Sequence, residues 1–124
     1  RGAWLLIDKY LGERGDFHLS RTTVRQDWIL VDADQELEAA AYFELMAQAF
    51  AAARGASEGG GRSGFLVGVT EVENLGTARV GDVLEISVSL EAQVEDFVVV
   101  VGRVMREDKV LARGRIKLFT PREG

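Results

Sequence analysis

Cysteine is absent from the 124 residues. That removes disulfides, thiolate metal sites and a cysteine nucleophile together. Histidine occurs once, as His18, so one chain cannot build a multi-histidine metal site. Proline also occurs once, against 14 glycines. An excess of basic residues is missing: the net charge is −5, whereas a non-specific nucleic-acid binder needs a cationic surface to neutralise phosphates. A bilayer-spanning run is missing too. The most apolar stretch, Ala39 to Ala53, is too short and carries Glu44 and Gln48. The opening Arg1-Gly2-Ala3-Trp4 has no charged-then-apolar leader pattern. The chain does not begin with Met, so a few preceding residues are expected to be missing or processed. These absences lead us to expect a soluble cytoplasmic protein with no membrane insertion, no nucleic-acid partner and no metal or other cofactor.

What is present is the composition of an ordinary globule, 47% hydrophobic and 28% charged. One domain covering residues 1–124 is expected. Trp4 to Leu11 reads as a short apolar strand, with Gly12 and Gly15 marking a turn. Asp16 to Trp28 alternates loosely and reads as a second strand. Asp32 is expected to cap a helix, with Gln35 as its capping-box partner and Glu36 and Glu38 favoured in the first turn by the helix dipole. Gly55 is the expected stop. From Ala39 to Ala53 this helix has no polar face, and eight alanines occur from Gln35 through Ala53. A helix apolar on all sides is buried on all sides.

After the loop containing Gly59-Gly60-Gly61 come four strand-like runs. These are Phe65 to Val72, Val83 to Gln93, Phe97 to Met105 and Lys109 to Phe119. In the second, Leu84, Ile86, Val88 and Leu90 alternate with Glu85, Ser87, Ser89 and Glu91, the pattern of a sheet wetted on one face. In the fourth, Arg113, Arg115 and Lys117 form an outward basic stripe. Cross-strand partners such as Glu85 or Glu91 explain it, and a docking patch for an acidic carrier protein is the alternative. The glycine run lacks the lysine and flanking elements of a phosphate loop. One antiparallel sheet curled around a single central helix satisfies both patterns. The expected class is therefore α+β, with the hotdog architecture.

Several segments then point to a family. Phe43-Glu44-Leu45-Met46-Ala47-Gln48-Ala49 resembles the central-helix motif of the 3-hydroxyacyl-ACP dehydratases, with a Glu four residues before a Gln. Gly64-Phe65-Leu66-Val67-Gly68-Val69 resembles the strand that follows. Val80-Gly81-Asp82-Val83-Leu84 resembles the family's turn into the next strand. Val110-Leu111-Ala112-Arg113-Gly114 resembles its closing strand, and Trp4-Leu5-Leu6-Ile7-Asp8 its opening one. The likeness is to a divergent, shorter branch. Where the family carries its catalytic histidine, this chain has Trp28-Ile29-Leu30-Val31-Asp32-Ala33, with no histidine.

The resemblance implies action on, or binding of, 3-hydroxyacyl thioesters of acyl carrier protein or coenzyme A, as in fatty-acid or related acyl metabolism. It also implies a homodimer or higher homo-oligomer, with two sheets joined at the Phe65–Val72 edge. Glu44 is the expected catalytic residue, because dehydration needs a base for the α-proton and an acid for the departing hydroxyl. Burial of a carboxyl disfavours its charged form, which suits that work; a structural Glu bonded to a neighbour is the bland alternative. Gln48 shares its helix face and could orient substrate or merely satisfy core backbone. Phe43, Met46, Phe50, Phe65, Val67 and Gly68 are the expected acyl-binding residues, lining an apolar tunnel or else simply filling the core. His18 is better read as a strand residue than as a catalyst. Asp32 and Asp34 are better read as caps than as a substitute acid or base. A thioesterase using Glu44, or a non-catalytic acyl-binding subunit, are the competing readings.

Overall fold

The structure, a computed structural model, describes residues 6–58 and 65–120, with side chains described for all of these except 56–58 and 65. The glycine run at 59–61 and the opening residues Trp4 and Leu5 fall outside the described residues. The element order is β1 (Lys9–Arg14), β2 (Phe17–Thr23), α1 (Ala41–Glu58), β3 (Phe65–Asn74), β4 (Val83–Val94), β5 (Phe97–Arg106) and β6 (Lys109–Phe119). The six strands form one antiparallel sheet in the order β1-β2-β4-β5-β6-β3, curled around α1. The fold is α+β, as expected from the patterns.

Alternation decides which face of each strand turns inward. Leu84, Ile86 and Val88 of β4 are fully buried, as are Val98, Val100 and Val104 of β5 and Ile116 and Leu118 of β6. They pack against Tyr42, Leu45, Met46, Ala49 and Phe50 of α1. Each large apolar side chain withdrawn from water in this way contributes on the order of 1.5–3 kcal/mol. Gly102 and Gly114 face each other across β5 and β6 and make the notch in which the helix sits. A Cβ built on Gly102 would come within 3.0 Å of Met46 Cγ and Sδ, and one on Gly114 within 3.0 Å of Phe43 Cε1.

The helix differs from expectation at both ends. It begins at Ala41, not beside Asp32. Asp32 accepts backbone N–H bonds from Asp34 (2.9 Å) and Glu36 (3.0 Å), so its carboxylate closes a turn instead of capping a helix. Gln35 has φ of 67°, which no helix tolerates. Residues 36–37 are instead drawn into bridges with Arg79 and Val31. At the far end α1 runs through Gly55 to Glu58. Nor is the helix enclosed on every side by the described residues of its own chain. Glu44, Ala47, Gln48, Ala51, Ala52 and Gly55, spaced three and four apart, form a half-buried stripe.

The first strand is displaced too. It is Lys9–Arg14, with Gly12 (φ 102°) at a register shift inside it, and the turn to β2 falls at Gly15 and Asp16. The second strand stops at Thr23. Beyond it Val24 and Trp28 are buried in irregular backbone.

Candidate active site

Because α1 starts at Ala41, Glu44 lies in its first turn and not in its middle. It is half-buried, on the stripe of α1 that the sheet leaves uncovered. Its Oε2 accepts a hydrogen bond from Gln48 Nε2 at 3.2 Å. Gln48 Oε1 in turn accepts the backbone N–H of Leu6 at 2.7 Å. The Leu6 carbonyl accepts the hydroxyl of Thr22, on β2. The i, i+4 pair was readable from the sequence. Leu6 and Thr22 were not, because only the folded chain brings them to the helix.

The first turn is tied down from a second side. The Tyr42 hydroxyl accepts the backbone N–H of Ala78 at 2.8 Å, with both residues buried. Burial pushes the Tyr42 phenol above its usual value, although the Ala78 N–H and nearby Arg106 pull the other way. Ala78 leads into the Gly81-Asp82 turn. There Asp82 Oδ2 accepts from the Arg79 N–H and from Arg106 (2.9 Å each), and Gly81 has φ of 96°. The Gly-Asp motif is thus a structural clamp that needs a glycine for its backbone angle.

The remaining expected site residues are dispersed. Phe43, Met46 and Phe50 lie in the core between helix and sheet. Val67 is exposed on β3, Gly68 lies beside Lys117, and the side chain of Phe65 is outside the described ones. His18 sits on β2, with Nδ1 2.7 Å from the Tyr10 hydroxyl and Nε2 3.8 Å from Glu13. Asp34 is exposed in the loop before α1. Trp28 heads the stretch that stands where the family histidine would be. Its Nε1 is buried with no hydrogen-bond partner, as is Ser20 Oγ.

The basic stripe is largely neutralised. Arg115 pairs with Glu91 (2.6 Å) and Glu71 (2.5 Å), Arg113 pairs with Glu73, and Lys117 lies over the Phe97 ring. Of the two partners expected, Glu91 is used, whereas Glu85 stands opposite Arg21. A cavity of about 760 Å³ opens on this outer face, between Phe17, Val72, Val101 and the paired charges, and does not reach Glu44. Among the described residues no three His, Asp or Glu side chains gather to hold a metal ion. Among them too, no helix is long and apolar enough to cross a membrane.

Comparison with known proteins bears on the family and the fold. The model of the ApeP-like family, described as ApeP dehydratase, matches residues 1–124. No curated protein matches the chain. Among solved structures, the dehydratase heterocomplex ApeI:P from Xenorhabdus doucetiae superposes with a TM-score of 0.85 at 23% identity, covering 99% of this chain and 87% of that one. The E. coli PaaI protein of the phenylacetic acid degradation operon gives 0.67 at 20%, covering 90% and 81%. A hypothetical thioesterase with coenzyme A from Streptococcus pneumoniae gives 0.66 at 15%, covering 90% and 84%. These three likenesses establish the hotdog fold.

Proposed function

The chain belongs to the ApeP-like dehydratase family, and from that premise we propose that it is a dehydratase subunit acting on 3-hydroxyacyl thioesters of acyl carrier protein or coenzyme A. The observation that carries the reading is the placement of Glu44. It combines the first turn of α1, partial exposure on the uncovered stripe and one carboxylate oxygen already held by Gln48. The other oxygen is left for chemistry. The backbone N–H groups of this first turn, Ala41 to Glu44, bond the carbonyls of Glu38, Ala39 and Ala40, so the turn acts on a thioester carbonyl through the positive end of the helix dipole and not through free donors.

Dehydration removes a proton from the α-carbon and expels the 3-hydroxyl as water, so it needs a second acid–base group. The loop of residues 28–33 contains no histidine, and His18 is engaged by Tyr10. We assign the second group to a partner subunit that packs on the open stripe and joins at the free edge of β3. The related structure named as a dehydratase heterocomplex supports an unlike chain as the partner, with a second copy as the homodimeric alternative. Gln48 orients the carboxylate. Of the expected acyl-binding residues, Val67 and Gly68 lie on β3, the edge at which the partner would join, whereas Phe43, Met46 and Phe50 pack between helix and sheet in this chain's own core.

Glu44→Gln keeps the shape and removes the titrating group. Hydration of crotonyl thioester and dehydration of 3-hydroxybutyryl thioester should fall by roughly two or more orders of magnitude, with assembly intact. Unchanged turnover would make Glu44 structural. The missing histidine favours one competing reading, a thioesterase in which Glu44 activates water. Thiol release in place of reversible hydration would establish it. Neither reaction, in the chain alone or with its partner, would leave an acyl-binding subunit.

A further inference from the structure

We propose that Thr22, on the far side of the Leu6 backbone, is a positioning residue for Glu44. This rests on Glu44 being catalytic, as argued above. Thr22 is fully buried, and its hydroxyl donates to the Leu6 carbonyl. The Leu6 N–H donates to Gln48 Oε1 at 2.7 Å, and Gln48 Nε2 donates to Glu44 Oε2 at 3.2 Å. Three hydrogen bonds thus run from the sheet to the carboxylate.

The direction of each bond is forced. A backbone N–H can only donate, so the oxygen of the Gln48 amide must face Leu6 and its NH₂ must face Glu44. Glu44 therefore receives a donor on one oxygen, and that oxygen is set in space by the amide. The amide is set by Leu6, which lies outside any strand and has no ladder bonds to fix it. What fixes it is its buried side chain together with Thr22. Two residues on, Asp8 is anchored mainly by groups other than Thr22, whose hydroxyl is the least of the contributors to its carboxylate. Its N–H donates to the Arg21 carbonyl (3.1 Å), and its carboxylate takes the Thr23 N–H (2.9 Å) and Arg25 (2.6 Å). Loss of the Thr22 hydroxyl shifts Leu6 without releasing the segment. A displacement of this kind at the carboxylate is felt in the chemical step, because catalysis depends on sub-ångström placement.

The test uses the assembled protein with crotonyl and 3-hydroxybutyryl thioesters. Thr22→Val should lower kcat by about 3–10-fold, with KM within twofold, and Thr22→Ser should restore it. In a Gln48→Ala background, Thr22→Val should cost nothing more, because the route it acts through is already cut; a purely structural role would give additive losses. If Thr22→Val does not fold, Thr22→Cys, a weaker donor of similar size, takes its place. Full activity of Thr22→Val, no restoration by Ser, or additivity with Gln48→Ala overturns the assignment while Glu44→Gln remains inactive. Retained activity of Glu44→Gln overturns the catalytic reading itself.

Discussion

Replacing Tyr42 by Phe removes one oxygen atom and little else. Tyr42 is 2% exposed, and its hydroxyl accepts the N–H of Ala78, a residue with no exposure at all, at 2.8 Å. In the variant that N–H faces hydrocarbon. An orphaned buried donor costs about 1–3 kcal/mol. At roughly 2.1 cal/mol/K per residue, a chain of this length unfolds with an entropy near 0.26 kcal/mol/K, so about 2 kcal/mol lowers Tm by roughly 8 °C. Chemical denaturation should show a lower midpoint with an unchanged slope. The alkaline limb supplies a second signature. Burial, the leading cause, raises the folded-state pKa of Tyr42. The associated stability is complete below the unfolded value, near 10, and is lost as pH rises through the folded one. Phenylalanine has no such limb, so the gap between the two proteins should hold from neutrality to about pH 10 and narrow above it. A loss under about 0.5 kcal/mol, or a gap that widens in alkali, would refute the assignment of this bond as the anchor of the first helical turn.

The notch beneath the helix makes its own forecast. Gly102→Ala places a methyl 3.0 Å from Met46 Cγ and Sδ and 3.2 Å from the Ser87 carbonyl oxygen, and should cost about 1–3 kcal/mol in thermal melts; stability equal to the parent would mean the helix is not seated there. Asp8 tests the acid limb. Burial raises its pKa, but the Arg25 bond and the Thr23 N–H outweigh it and the net direction is down. The stabilisation is therefore present above the unfolded carboxyl value, near 4, and lost as pH falls through the folded one. With the carboxylate 39% exposed, screening keeps the effect of Asp8→Asn below about 1 kcal/mol at pH 6, and it should vanish toward pH 2 in urea titrations.

The parts of the fold that were legible in the sequence were those where one face meets core and the other meets water. The alternation in β4 came through for Leu84, Ile86 and Val88 and the bounds of β6 came through entire, because there burial and period agree; Leu90, beside the register shift of β4, is exposed and Ser87 is buried against expectation. The start of α1 did not. Asp32 carries the same local signal in an N-cap and in a turn, since in both its carboxylate accepts backbone N–H groups a few residues on. What decides between them is the pairing of Leu37 and Val80 with the backbone of Ala78 and Gln35, 41 and 45 residues apart in chain order, a tertiary contact invisible to local pattern. The same holds for the site. Glu44 and Gln48 were readable as helical neighbours, whereas Leu6 and Thr22 reach them from 42 and 26 residues away in the chain. The uncovered stripe was hidden for another reason: alanine reads as apolar whether its neighbour is its own sheet or a partner's helix.

The outer edge of β3 has a consequence for growth. Its register against β6 slips twice, between Leu66 and Gly68 and between Thr70 and Glu73, and Glu71 takes a φ of 53° at the second slip. A valine stands at each slip, Val67 at 53% exposure and Val72 at 41%. An extended strand from an arbitrary chain finds only the short run Gly68–Thr70 evenly spaced before the rungs fall out of step. Ribbon growth along this edge is interrupted on both sides of that short run. A chain whose own edge carries matching interruptions can interlock with the two pegs, which makes this border a lock cut for few keys.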